Sequence, residues 1–125
     1  MWLLELPWQS PPVKANGPRG NHYAHAAHVR AVRRAVGVLA RNAKIPHLGR
    51  CRVELTWYVP DRIRRDVDNL MPMMKPVYDA LSSGRQPFDW PIVEDDTPQF
   101  MVKTMPEIVF VKGCRKRFEL VIVGA

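Results

Sequence analysis

Hydrophobic and polar positions in the first half of the chain predict two strand-like runs, with a long polar segment after the first of them. The apolar run WLLEL at residues 2–6 is closed by Pro7 and predicts a first strand, because proline interrupts ladder pairing. Residues 7–21 hold four prolines, two glycines and two asparagines, which predicts a loop. Residues 52–59 alternate and predict a strand with one buried face. Its apolar positions are Val53, Leu55, Trp57 and Val59.

Two further segments have the spacing of amphipathic helices. Residues 28–43 predict a first helix, with apolar positions Val29, Val32, Ala35, Val36, Leu39 and Ala40. A second helix should begin near Asp68 or Asn69, both good N-cap residues. Its apolar positions are Leu70, Met74, Val77, Tyr78 and Leu81. Pro72 falls in the first turn, where proline is tolerated, whereas Pro76 predicts a kink or a helix that starts later.

The last part of the chain predicts β-structure. One segment covers residues 99–104 and resumes at 108–111, another covers 117–123, and residues 112–114 form the turn between them. The resulting order is β-α-β-α-β-β. We therefore expect an α+β fold, with two helices packed on a small mixed sheet, in a single domain covering residues 1–125.

The charge balance favours a polyanionic partner. Lys and Arg number 19 against 12 Asp and Glu, a net charge of +7, which points to nucleic acid unless the chain is only a soluble basic protein. Cys51 and Cys114 lack metal-site spacing and are expected to be free thiols in a reducing compartment. Neither a signal peptide nor a membrane span is predicted, so we expect a cytoplasmic protein.

Basic residues are concentrated in two segments. On the first helix they fall opposite the apolar face, without an acidic residue among them; they are Arg30, Arg33, Arg34, Arg41 and Lys44. A second cluster, Arg62, Arg64 and Arg65, precedes the second helix. One interpretation is an ordinary solvated surface, and the other is a set of contacts to DNA phosphates.

Carboxylates form two groups beside these basic segments. Asp66 and Asp68 would point the same way on an extended backbone, and residues 94–96 add Glu94, Asp95 and Asp96 before a predicted strand. Such hard oxygen ligands suit Mg²⁺ or Mn²⁺, as in metal-dependent phosphodiester hydrolysis. Alternatively, Asp68 is only a helix cap and Asp66 an ion-pair partner of Arg64 or Arg65.

Lys75 and Asp79 are four residues apart and share a helical face. They form either a surface ion pair or, with Lys75 beside a scissile phosphate, part of an active site. The four histidines have no zinc-motif context. The chain also has no glycine-rich phosphate loop, so a nucleotide cofactor is not expected.

In this order the motifs resemble those of the RusA-type Holliday junction resolvases. The resemblance is strongest across residues 64–97 and extends loosely over nearly the whole chain. It depends on the segments RDVDNL at 65–70, Lys75, YDAL at 78–81 and EDD at 94–96. One departure is that residues 71–73 look like an insertion, so that Lys75 comes three residues later than the family's lysine. Either the helix starts later, so that Lys75 occupies the position of the family's lysine, or another residue has the role of that lysine.

The resemblance implies a homodimeric, Mg²⁺-dependent endonuclease, often phage-encoded and then acting in the host cytoplasm, that resolves four-way DNA junctions in recombination and repair by paired nicks. It implies metal ligation by Asp66, Asp68 and Asp96, with Lys75 as the catalytic lysine. Asp79 would support them and Asp95 would be an alternative ligand. Two alternatives remain open, namely a broader fork or flap nuclease and a junction-binding protein without catalysis.

Overall fold

A computed structural model of the chain describes residues 1–13 and 22–125. The predicted α+β fold, with two helices and a small mixed sheet, is confirmed. The predicted loop at residues 7–21 is described only as far as Val13, and residues 14–21 lie outside the described part. The elements are β1 (Trp2–Leu6), α1 (His22–Asn42), β2 (Cys51–Val59), a 3₁₀ helix (Val67–Leu70), α2 (Met71–Ser82), β3 (Met101–Lys103), β4 (Glu107–Phe110) and β5 (Arg117–Gly124).

The sheet is built around β2. On one side β2 pairs antiparallel with β5, which pairs antiparallel with β1. On its other side β2 pairs in parallel with two short strands in succession, β3 along Cys51–Val53 and β4 along Thr56–Val59. The predicted interruption between residues 104 and 108 therefore divides one edge of the sheet into two short strands.

Burial along β2 follows the predicted alternation. Its apolar side chains are buried and belong to one hydrophobic core together with residues of α1, α2 and β5. The alternate positions of β2, Arg52, Glu54, Thr56 and Tyr58, are partly or fully exposed. One face of the sheet thus supports the helices, and burial of apolar side chains there is the main source of stability.

Helix α1 begins at His22, six residues before the predicted start at residue 28. Of its added residues, 23–27 are mostly exposed, with the sequence YAHAA. Helix periodicity in a sequence reflects burial of one face, so an exposed extension gives no such signal. Alanine's high helix propensity favours this extension.

The start of the second helical segment differs from the prediction that Asp68 or Asn69 is the N-cap. Asp66 is the cap of the 3₁₀ helix, because its Oδ1 accepts a hydrogen bond from the Asp68 N–H at 3.0 Å. Pro72 lies in the first turn of α2, as predicted, and the helix continues through Pro76. Since proline has no N–H, Pro76 removes one helical hydrogen bond.

The predicted turn at residues 112–114 is present. The Cys114 N–H donates to the Val111 carbonyl at 3.0 Å, and Gly113 has a φ of 73°, which glycine adopts without steric cost. Both cysteines are free. Within the described residues, no helix is both long and apolar enough to cross a bilayer.

Candidate active-site cleft

The predicted residues on α2 and in the loop after it border one polar cleft of about 520 Å³. We call it the α2 cleft. Its walls come from one side of α2, from the start of the following loop, and from the carboxylates just before β3. The lining residues are Lys75, Asp79, Ser82, Ser83, Arg85, Glu94, Asp95, Asp96 and Phe100.

Backbone hydrogen bonds fix the loop after α2 against the end of that helix. The Trp90 N–H donates to the Ala80 carbonyl and the Ile92 N–H to the Leu81 carbonyl, both at 2.8 Å. The Trp90 indole also donates to the Ile45 carbonyl at 2.7 Å. The two backbone bonds satisfy carbonyls that the end of α2 leaves unpaired, and they bring residues 94–96 alongside α2.

A tight turn then connects Asp96 to β3. The Thr97 carbonyl accepts hydrogen bonds from the N–H groups of Phe100 and Met101, both at 2.9 Å. Before the turn, Asp95 Oδ1 accepts from the Asp96 N–H at 2.8 Å. Asp96 is therefore held at the junction of the loop and the sheet, while Glu94 and Asp95 are exposed.

Two lysines converge on the Asp96 carboxylate. Lys75 Nζ lies 3.3 Å and Lys103 Nζ 3.2 Å from the same oxygen, Oδ2. Lys75 also pairs with Asp79 Oδ1 at 3.0 Å. The Asp96 side chain is only 17% exposed, whereas that of Lys75 is 68% exposed. The predicted Lys75–Asp79 pair is present, and Asp96 joins it in one network.

These contacts perturb the acid–base properties of the cleft. Burial alone would raise the pKa of Asp96, but hydrogen bonds from Lys103 and Lys75 outweigh it and hold the pKa below its ordinary value. The hydrogen bond to Asp79, with a further one to Asp96, raises the pKa of Lys75. Both groups are therefore charged near neutral pH.

Lys103 does not line the cleft, but it pairs with Asp96, and sequence reasoning did not identify it. It lies at the end of β3, opposite Val53 in the parallel register, and its ammonium lies 4.6 Å from the centroid of the Tyr78 ring. Strand alternation could have identified Lys103. Because it follows buried Met101 by two residues, both side chains lie on the face of the sheet that the helices cover. A lysine on that face is partly removed from water, so its ammonium is expected to contact a carboxylate or an aromatic ring.

Asp66 and Asp68 are both exposed and lie immediately before α2. The backbone is extended at Asp66, with φ −107° and ψ 128°, but Asp68 is already in the 3₁₀ helix. The expectation that both project from one extended strand is therefore wrong. Asp66 does not pair with Arg64 or Arg65 either, since Arg65 Nη1 contacts Asp61 Oδ1 at 2.7 Å.

No three His, Cys, Asp or Glu side chains in residues 1–13 and 22–125 are grouped so as to hold a metal ion. The chemistry of the three predicted ligands nevertheless fits Mg²⁺, because each retains carboxylate oxygen without a hydrogen bond from a described residue. Both oxygens of Asp68 are available, as are Oδ2 of Asp66 and Oδ1 of Asp96. Hard anionic oxygens of this kind are what Mg²⁺ prefers.

Two of the predicted DNA-binding arginines have structural partners instead. Arg33 makes two hydrogen bonds to the fully buried carboxylate of Asp89, at 2.8 and 2.6 Å. At about 100° per residue, Arg33 lies about 20° from Ala40, at the edge of the apolar face rather than opposite it. Arg65 is 12% exposed, pairs with Asp61 and lies over the Trp57 ring.

The remaining predicted arginines are exposed. Arg30, Arg34 and Arg41 lie on the outer side of α1, and Arg64 lies in the segment before Asp66. Arg62 is also exposed, with its guanidinium 4.6 Å from the centroid of the Phe110 ring. Five of the seven predicted contacts, Arg30, Arg34, Arg41, Arg62 and Arg64, are thus accessible to a polyanion.

Comparison with protein-family models and with curated proteins finds no match to this chain. The resemblance to RusA-type resolvases therefore stays a prediction.

Proposed function

We propose that the chain is a metal-dependent endodeoxyribonuclease that cuts branched DNA, with the four-way junction as its main substrate. The observation that carries the proposal is the network at the α2 cleft. There a partly buried Asp96 is held between Lys75 and Lys103 beside further carboxylates, in a chain of net charge +7. Carboxylates that can bind a metal ion, surrounded by basic side chains that can contact DNA phosphates, suit phosphodiester hydrolysis.

Asp66, Asp68 and Asp96 would hold the Mg²⁺ ion, with Asp95 as an alternative ligand and Mn²⁺ able to replace Mg²⁺. When bound, Mg²⁺ supplies positive charge that polarises the phosphate and favours ionisation of a water nucleophile. The described carboxylates are not already grouped, and Asp66 and Asp68 do not line the α2 cleft. Metal binding would therefore require these two side chains to move towards Asp96.

Lys75 has the properties of a group that stabilises charge on a phosphate. Its ammonium is largely exposed at the cleft, and its pKa is raised by the bonds to Asp79 and Asp96, so it stays protonated. A fixed positive charge beside the phosphate lowers the energy of the transition state more than that of the ground state. Lys103 and Asp79 act as positioning residues, since they hold Asp96 and Lys75 respectively.

The exposed arginines of α1, together with Arg62 and Arg64, would hold the DNA backbone through phosphate contacts. A homodimer is part of the proposal, because two clefts related by a two-fold axis would cut a symmetric junction at matching positions. Paired nicks are its expected products.

The test uses purified protein with a labelled four-way junction, a fork, a flap and a matched linear duplex, each with Mg²⁺, Mn²⁺ or EDTA. We expect metal-dependent paired nicks in the junction. Asp68→Asn should reduce them at least about tenfold while binding without metal is kept or strengthened, because a carboxylate repels phosphate. Glu107→Gln, an exposed carboxylate on β4, is the control that should cut normally.

A fork or flap nuclease would cut those substrates as fast as the junction, with the same dependence on Asp68. The non-catalytic alternative is favoured by one observation, namely that Asp96 is already neutralised by two lysines. It predicts tight junction binding with no cleavage under any metal condition.

A further inference from the structure

A second depression, of about 330 Å³, lies between α1 and the loop after α2. Its walls are Arg34, Val38, Arg41, Pro87 and Phe88, and we call it the α1 groove. It shares no lining residue with the α2 cleft. The loop nevertheless borders both, because Ser83 and Arg85 line the cleft and Pro87 and Phe88 line the groove.

The groove is held in shape by close packing between the loop and α1. A Cβ atom added at Gly37 would lie 2.0 Å from the Phe88 carbonyl oxygen, so the loop backbone contacts the helix where a side chain would otherwise be. The next residue, Asp89, is fixed by its two hydrogen bonds to Arg33 and by one from the Gln86 N–H. Phe88, which is half-buried, is therefore presented beside the outer face of α1.

Two arginines at this groove carry charge that no acidic residue in the described part of the chain neutralises. Arg34 and Arg41 are seven residues apart, so they lie about 20° apart around α1 and about 10 Å apart along it. Both are exposed, and neither has an ion pair or side-chain hydrogen bond with a described residue. The sequence of residues 14–21, KANGPRGN, contains no acidic residue.

An apolar floor with an aromatic ring, between two cations, matches a ligand that has a flat apolar body and negative charge on both sides. A nucleotide within a DNA strand has that form, because a base can stack on an aromatic ring while its phosphates contact arginines. An acidic peptide would satisfy the arginines but would leave the floor exposed.

We propose that the α1 groove binds an unpaired nucleotide of a DNA strand, with the base against Phe88 and the flanking phosphates at Arg34 and Arg41. This site does not rest on the nuclease chemistry, since a protein that only binds DNA would use it in the same way. In a branched substrate the ligand would be a base that has left its stack at the branch point.

The experiment measures binding of a short single-stranded oligonucleotide containing 2-aminopurine, whose fluorescence is quenched by stacking, and of a matched duplex, without metal. Arg34→Gln/Arg41→Gln removes the two charges, and Phe88→Leu removes the ring while keeping apolar volume. Arg50→Gln/Lys112→Gln is the matched control, because both side chains are exposed and lie outside the groove. Circular dichroism verifies the fold of each variant.

We expect the arginine pair variant to lower the slope of log affinity against log salt by about 1.4, since each single-strand phosphate contact contributes about 0.7. The control pair should change it little. Phe88→Leu should weaken single-strand binding about fivefold or more and abolish the quenching. Because this binding is measured without metal and without cleavage as a readout, a negative result would count against the groove and not against the nuclease, which separates failure of this proposal from failure of the proposed function.

Three results would overturn the proposal. Equal weakening of DNA binding by the control pair would mean that only net charge matters. Unchanged quenching in a folded Phe88→Leu protein would show that the base does not stack in the groove. Competition by polyglutamate as strong as that by DNA would point to an acidic protein partner instead. If Phe88→Leu does not fold, the arginine pair still decides, because both side chains are on the exposed surface.

Discussion

Two charged clusters border the loop after α2, and they are built differently. Arg33 contacts both oxygens of Asp89, whose side chain is fully buried. At the α2 cleft, two lysines share a single oxygen of Asp96, whose side chain is 17% exposed, and the other oxygen accepts no hydrogen bond from a described residue. Both oxygens of Asp89 are thus hydrogen-bonded within the fold, whereas one oxygen of Asp96 is still available to a ligand.

This difference separates a structural charge pair from a candidate functional one. A buried pair with both oxygens satisfied holds the loop in place, and removing one partner leaves an uncompensated charge. Exposed ion pairs contribute little to stability, so a stable fold does not require the Lys75 cluster. The variants below test that division.

The largest effect on stability is expected from Arg33→Met. Because Asp89 would be left buried without its partner, the free energy of unfolding should fall by about 3–5 kcal/mol. Urea unfolding measures the change. The double variant Arg33→Met/Asp89→Leu should recover part of the loss, and a single variant as stable as the wild type would show that the pair is not structural.

A smaller loss, about 2–3 kcal/mol, is expected for Asp89→Asn near neutral pH, because hydrogen bonds to a charged group are lost. Burial would raise the pKa of Asp89, but the hydrogen bonds from Arg33 and from backbone N–H groups, together with the charge of Arg33, outweigh it and hold the pKa below the ordinary 3.8. A carboxyl with a lowered folded pKa adds stability above its unfolded pKa and loses it as the pH falls. The difference between the two proteins should therefore close in acid, as unfolding across a pH series would measure, and a constant difference would contradict the assignment.

Gly37→Ala should cost about 2 kcal/mol, since overpacking forces the backbone to shift. Alanine is the better helix former, but the added Cβ would meet the Phe88 carbonyl oxygen at 2.0 Å. Thermal unfolding provides the readout. A more stable variant would mean that the loop moves away from α1 without cost.

The smallest stability effect is expected for Lys75→Met, within about 1 kcal/mol, because its ion pairs are largely exposed. Under the proposed function the same change should reduce junction cleavage about 10²-fold. Met71→Ala, an exposed position one turn earlier on α2, is the matched control. Normal cleavage by Lys75→Met would show that Lys75 is not part of the active site.

Periodicity predicted the elements that bury one face, namely β1, β2, β5 and most of both helices. It did not predict the exposed first turns of α1, because an exposed turn leaves no hydrophobic pattern. Buried Leu70 was assigned to the second helix, but its spacing did not indicate that residues 67–70 form a 3₁₀ helix. The cap at Asp66 was also missed, since Asp66, Asp68 and Asn69 lie within four residues and all suit that position.

Within the cleft, the sequence predicted Lys75, Asp79 and Asp96 from residue type and spacing. It did not identify Lys103, whose contact with Asp96 depends on the parallel pairing of β3 with β2. Arg33 was wrongly grouped with the outer arginines, although helical spacing places it at the edge of the apolar face. Its partner, Asp89, is 56 residues away in the chain and could not be identified from spacing. Long-range pairings of this kind depend on the tertiary fold.

The central claim is that the Asp96 cluster serves DNA cleavage and not folding, and Asp96→Asn tests it most directly. Junction cleavage with Mg²⁺ and thermal unfolding would be measured on the same sample. The account predicts at least about a tenfold loss of cleavage with an unfolding temperature close to that of the wild type. Cleavage at the wild-type rate by the folded variant would contradict it.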